Sequence, residues 1–218
     1  MVNPPCWSVV VPVKPVRGAK SRLLGLPRRV REELVVAMAA DTVSAAAACP
    51  SVSQVYVVTD DPRAAAAVIA CGAVLVADAP GAGLNPALVH GAEAATLTRP
   101  DCGIAALAAD LPALTAAELG VALAAAARHP RTLMTDVEGS GTTLLTARPG
   151  QALDPSYGED SRRRHVASGA VELRLDGCEG LRRDVDTLGD LTAAERLGLG
   201  SRTRAVLPRR VAGVPPAG

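Results

Sequence analysis

Trp7–Leu23 reads WSVVVPVKPVRGAKSRL, and its first half differs sharply in character from its second. Trp7–Val13 is a short apolar run rich in β-branched residues, the pattern of a strand buried on both faces. A loop follows that carries Lys14, Arg17, Lys20 and Arg22 around Gly18. A long alanine-rich segment, Pro27–Ala48, then has the composition of a helix. Strand, basic loop and helix in that order open a parallel α/β sheet. The carboxyl end of the first strand is where such sheets bind ligands. Neither GxxxxGK[ST] nor GxGxxG is present, which excludes the P-loop and the dinucleotide fingerprint. Four cations within nine positions fit either a solvated loop or a phosphate site, and the place in the sheet favours the phosphate.

Working outward, the same alternation continues. Gln54–Thr59, Ala73–Ala77 and Cys102–Ala109 read as further strands, separated by helical segments at Pro62–Cys71 and Asn85–Leu97. Thr115–Arg128 is another helix, with Thr115 and Glu118 at capping-box spacing. Beyond it Arg131–Val137, Thr142–Arg148 and Val171–Leu175 are shorter strands, and Leu188–Leu197 is a final helix. From Gly198 onward the chain is rich in Arg, Pro and Gly. The expected organisation is one α/β domain over residues 1–200, with a mixed, mainly parallel sheet flanked by helices. Residues 201–218 are expected to form a flexible C-terminal tail.

Composition sets the outer limits. With 218 residues, 49% of them hydrophobic, the chain can bury one sizeable core. Phe is absent, so that core must come from Val, Leu, Ala and Ile. A formal charge of +1 without blocks of like charge argues against a general nucleic-acid surface. No apolar run approaches the roughly 20 residues that span a bilayer, and no basic segment precedes the first apolar stretch as in a signal peptide. Cys6, Cys49, Cys71, Cys102 and Cys178 are odd in number and scattered, which fits free thiols in the cytoplasm.

Several carboxylates and hydroxyls have the types and positions that phosphate chemistry needs. Asp110, in AADLPAL, follows a buried strand at the ligand-binding edge and is a hard oxygen donor suited to Mg²⁺; taken alone it reads better as a cap of the following turn. Asp184 and Asp186, in RDVDT, face one way if the backbone is extended, and either could be a second metal ligand; the alternative is an acidic turn capped by Thr187 or Asp186. Gly139–Thr143 (GSGTT) could cup a carboxylate or phosphate with its N–H and hydroxyl groups, or form a hairpin turn. Near it in character are Tyr157–Ser161 (YGEDS) and the basic run Arg162–His165, read as a helix face with His165 at the surface. The loop Asp78–Pro86, which contains Asn85, could contact base and ribose, or be simple connection.

Taken in order, VPVKPVRGAKSRL, AADLPAL, GSGTTLL with YGEDSRRRH, and DVDT resemble the guanylyltransferases of coenzyme F420 biosynthesis, which act on 2-phospho-L-lactate or phosphoenolpyruvate. The resemblance runs from about Ser8 to about Leu199. It implies a Rossmann-like nucleotidyltransferase fold, GTP as donor and pyrophosphate as product. It also implies that Lys14, Gly18, Lys20, Arg22 and Asn85 hold the nucleotide, and that Asp110, Asp184 and Asp186 hold Mg²⁺. Thr142, Gly158 and Ser161 would hold the acid, and Lys20, Asp110 and Asp186 would carry catalysis. Its partners would be GTP and a small phosphorylated acid, with no nucleic acid and no membrane. One departure is visible: AAD stands where the family commonly has GD before LP. A molybdopterin nucleotidyltransferase of the same fold and a non-catalytic nucleotide-binding module are the competing readings.

Overall fold

The computed structural model describes residues 6–17, 20, 22–23, 25–79 and 81–207. Its centre is β1 (Trp7–Pro12), flanked in parallel by β2 (Val52–Val58) and β4 (Gly103–Leu107). β3 (Val74–Val76) extends β2 in parallel. On the other side β6 (Leu144–Ala147) runs antiparallel to both β4 and β5 (Arg131–Met134), and β7 (Val171–Glu172) pairs parallel with β5. The order is therefore β3-β2-β1-β4-β6-β5-β7, a mixed and mainly parallel seven-stranded sheet.

Strand alternation explains how the sheet is covered. Val9 and Val11 of β1 point to one face, where α1 (Arg28–Ala47), α2 (Pro62–Ile69) and α4 (Ala116–Ala126) contribute Val43, Val68 and Leu123. Val10 points to the other face, towards Leu88 and Ala95 of α3 (Leu84–Thr98). There α3 lies so close to the sheet that a Cβ on Gly91 would meet Val10 Cγ1 at 2.6 Å and Val58 Cγ2 at 2.7 Å.

Short helices complete the carboxyl half: α5 (Ser161–Ala167), α6 (Glu179–Arg182), α7 (Leu188–Leu197) and α8 (Ser201–Val206). Local chemistry sets where several helices begin. Asp61 caps α2 by accepting from Arg63 N and Ala64 N, with Pro62 in the first turn. Thr115 with Glu118, and Thr187 with Asp190, form complete capping boxes for α4 and α7.

Two expectations need correction. α7 is not the last helix. Asp41, buried on α1, accepts from Arg202 N at 3.2 Å and Thr203 N at 2.8 Å, and so caps α8 within the segment read as a tail. Residues 208–218 of that segment lie outside the described residues. The cysteines are not all free either, because Cys6 and Cys102 form a disulfide. The parallel register of Trp7 with Gly103 brings them together at the amino ends of β1 and β4, although 96 positions separate them in sequence. Cys49, Cys71 and Cys178 are free. Among the described residues no helix is long and apolar enough to cross a membrane.

Candidate functional site

A cavity of about 530 Å³ opens at the carboxyl ends of β1 and β4. Its floor is apolar, with Val35 and Met38 of α1, Leu84 and Leu88 of α3, and Leu107 of β4. Its polar groups are Lys14, Lys20, Asp110, Thr142, Tyr157 and Asp186. These come from segments up to 172 positions apart (Lys14 to Asp186), joined by the fold.

The loop after β1 is fastened at its start. Val16 N donates to Asp61 Oδ2 at 2.8 Å, so the carboxylate that caps α2 also pins the basic loop. Burial works against charge on Asp61, but three backbone N–H donors and Arg63 outweigh it and hold its pKa below the usual carboxylate value. Lys20 is further along the loop, its backbone in the left-handed region at φ 54°. Its Nζ donates to Asp110 Oδ2, and to Asp186 Oδ1 at 2.5 Å. Burial disfavours the ammonium charge, but Asp110 and Asp186 more than offset this and raise its pKa above the ordinary value.

Asp110 is held through its neighbours. Thr42, fully buried on α1, donates its hydroxyl to Ala109 O at 3.3 Å and accepts from Leu111 N at 3.2 Å, one bond on each side of Asp110. Val185 N donates to Asp110 O at 3.1 Å, which ties the DVD segment to the same strand end. Thr42→Val keeps the shape of the side chain but leaves the Leu111 N–H without its acceptor. It is expected to cost about 1–3 kcal/mol in urea denaturation, and to lower turnover more than it raises Michaelis constants.

Asp184 is the third carboxylate of this corner. Burial, then the like charges of Asp110 and Asp186, push its pKa up to about 7. Among the described residues no three His, Cys, Asp or Glu side chains form a ready metal cage. What is present is a pair of carboxylates, Asp110 and Asp186, converging on one cation, the ammonium of Lys20. Two hard oxygen donors with room for substrate phosphates are the set that Mg²⁺ commonly uses.

The opposite wall departs further from the sequence reading. In the GSG turn the anion being cupped is the protein's own: Asp136 accepts from Ser140 N at 3.0 Å and Gly141 N at 2.7 Å. A side chain on Gly141 would overlap that carboxylate. Thr142 reaches the cavity, but Ser161 is buried and its hydroxyl donates to Thr142 Oγ1 at 3.2 Å. Gly158 is exposed at φ 122° and is not on the cavity wall; a Cβ there would approach the Arg164 guanidinium rather than the cavity. Asn85 also turns elsewhere. Its Nδ2 donates to Tyr157 O at 3.1 Å and its Oδ1 accepts from Tyr157 N at 2.8 Å, so it clasps the loop that carries Tyr157. Arg22 is exposed and off the wall, and Gly18 lies outside the described residues.

His165, expected at the surface, is wholly buried. Its ring nitrogens meet Thr142 Oγ1 at 3.0 Å and Ser156 N at 2.8 Å, and Tyr157 packs edge-on against it at 5.0 Å between centroids. Burial, then Arg131 and Arg164, push its pKa down to about 4 against the opposing pull of Asp154, so the ring is neutral near pH 7. The available signal was its spacing of four from Ser161, which puts the two on one helix face while Arg162 to Arg164 occupy the others.

A family model for CofC-like guanylyl transferases matches residues 7–191. The chain belongs to that family. It is 56% identical over 204 residues to a phosphoenolpyruvate guanylyltransferase of Streptomyces coelicolor, covering 93% of this chain and 96% of that one. A protein of the same name from Thermomonospora curvata is 53% identical over 211 residues, covering 97% and 92%. Among solved structures, a nucleotidyl transferase from Methanothermobacter matches with a TM-score of 0.57 at 20% identity, over 88% of this chain and 97% of that one. A nucleotide-diphospho-sugar transferase fold from Desulfovibrio desulfuricans matches with a TM-score of 0.60 at 14% identity, over 92% and 97%. The fold is thus the Rossmann-like nucleotidyltransferase fold, and the family is one of enzymes that transfer a guanylyl group.

Proposed function

We propose that this CofC-like enzyme transfers GMP from GTP to phosphoenolpyruvate, releasing pyrophosphate, in the cytoplasm and as a step of coenzyme F420 biosynthesis. The observation that carries the reading is a juxtaposition. One cavity joins Lys20, Asp110, Asp186 and Thr142 in a chain that shares over half its residues with named phosphoenolpyruvate guanylyltransferases.

In the reaction a phosphate oxygen of the acid attacks the α-phosphorus of GTP. The new P–O–P bond forms as the bond to pyrophosphate breaks. Both partners are anions, so the site must neutralise and align them. The acid's phosphate is ionised at neutral pH and needs no general base. Lys20, anchored by two carboxylates, is held as a cation at the cavity before any nucleotide arrives, and Lys14 adds a second, more exposed charge. Mg²⁺ held by Asp110 and Asp186, with Asp184 beside them, would supply the remaining positive charge between the two anions. Thr142 would donate to the acid on the opposite wall, with Gly158 and Ser161 shaping the loop and helix behind it.

Incubating the chain with GTP, Mg²⁺ and, separately, phosphoenolpyruvate, 2-phospho-L-lactate and phosphoglycerate tests this. The expected product has the mass of phosphoenolpyruvate plus GMP less water, with one pyrophosphate per product. A faster reaction with 2-phospho-L-lactate would reassign the acceptor. Turnover with molybdopterin alone would move the chain to the competing nucleotidyltransferase class.

A further inference from the structure

The bonds around His165 fix a direction at Thr142. A backbone N–H can only donate, so the Ser156 N–H fixes His165 Nε2 as an acceptor. A neutral imidazole with Nε2 unprotonated carries its proton on Nδ1. Nδ1–H must then donate to Thr142 Oγ1 across 3.0 Å. Ser161 Oγ donates to the same oxygen. Both lone pairs of the Thr142 hydroxyl are thereby occupied, and its one remaining capacity is to donate its own proton. Thr142 borders the cavity, and among the described residues its proton has no acceptor.

We infer that His165 is a positioning residue that, acting through Thr142, makes that hydroxyl a fixed donor to an anionic oxygen of the phosphorylated acid. The inference rests on the acceptor reading above. The same ring steadies a second part of the wall, since Ser156 and Tyr157 form the loop that Asn85 holds from the other side. Arg131 and Arg164 face the ring as cations and Asp154 as an anion, and together with burial they leave it neutral. An imidazolium would have a proton pointed at the Ser156 N–H, and the loop would have to open.

Two substitutions separate the two nitrogens. His165→Asn offers an amide N–H in the place of Nδ1–H and loses the acceptor for Ser156. His165→Gln offers a carbonyl in the place of Nε2 and loses the donor to Thr142. With GTP and Mg²⁺ saturating, His165→Gln is expected to raise the Michaelis constant for phosphoenolpyruvate about ten- to a hundred-fold, the range for a lost hydrogen bond to a charged group. The constant for GTP and the turnover number should change little, and His165→Asn should recover most of the loss. In a Thr142→Val background, His165→Gln should add nothing further. Equal effects of Asn and Gln, additive effects with Thr142→Val, or equal rises for GTP and acid would each overturn the inference.

Should His165→Gln fail to fold, the imidazole ¹⁵N spectrum of the unaltered protein decides. A neutral ring protonated at Nδ1 at pH 7 is expected, and a ring protonated at Nε2, or at both nitrogens, overturns the inference. If the unaltered chain forms no product from phosphoenolpyruvate, the proposed reaction falls and this inference with it. Product formation with additive substitutions sinks the inference alone.

Discussion

Asp110→Asn is expected to lower guanylyl transfer on the order of a hundred- to a thousand-fold, the range lost when one preorganised electrostatic contact to a reacting group is removed. The fold should survive. The backbone bonds that hold this strand end, from Thr42 to Ala109 and Leu111 and from Val185 N to Asp110 O, do not involve the side chain being changed. Asn still accepts from Lys20, and Asp186 still balances the ammonium charge. Loss of one anion also relieves Asp184, whose pKa is raised by burial and then by the charge of Asp110. The thermal midpoint should therefore move little while pyrophosphate release collapses. Near-normal release at saturating Mg²⁺ would reduce Asp110 to an anchor of its turn.

How much of this was legible in the sequence depends on the range of the forces involved. β1 and its basic loop, the strand before Asp110 and the Thr115–Glu118 capping box rest on residues within a few positions of one another, and each was readable. The features that were missed rest on distant partners. The GSG turn looks like an anion cup because it is one, but its anion is Asp136, which the sequence does not mark as turned inward. Arg, Arg, Arg, His looks like a solvated face until Thr142 and Ser156 close on the histidine from 23 and 9 positions away. Asn85 has the chemistry for a base or ribose, yet spends it on Tyr157 at a separation of 72. Likewise α8 is capped by Asp41, which lies 161 positions before Arg202. Residue type was a sound guide to chemistry. Whether that chemistry faced a substrate or another part of the chain was a tertiary matter.

The second large effect has two parts of opposite sign, and both follow from what Lys20 does in the free protein. Its ammonium sits against Asp110 and Asp186, the carboxylates proposed to hold Mg²⁺, with only 13% of the side chain exposed. It is therefore both a neutraliser of the acidic corner and a competitor for the same oxygens. Lys20→Met keeps the length and apolar stem of the side chain but removes the charge. Mg²⁺ binding to the free chain, followed by calorimetry, should then tighten. Each hydrogen bond to a charged group is worth about 1.5–3 kcal/mol, so a gain of roughly ten- to a hundred-fold is expected. Turnover should move the other way and by more, because the cation proposed to face the polyphosphate is lost and the exposed Lys14 is a poor substitute. Folding should suffer modestly, since three carboxyl groups would share the corner, although Asp184, with its pKa pushed up to about 7, carries only part of its charge near neutral pH. Weaker Mg²⁺ binding in Lys20→Met would show that the lysine holds the two aspartates in place rather than competing for them. Unchanged turnover would remove Lys20 from the reaction and leave Lys14 as the cation to test.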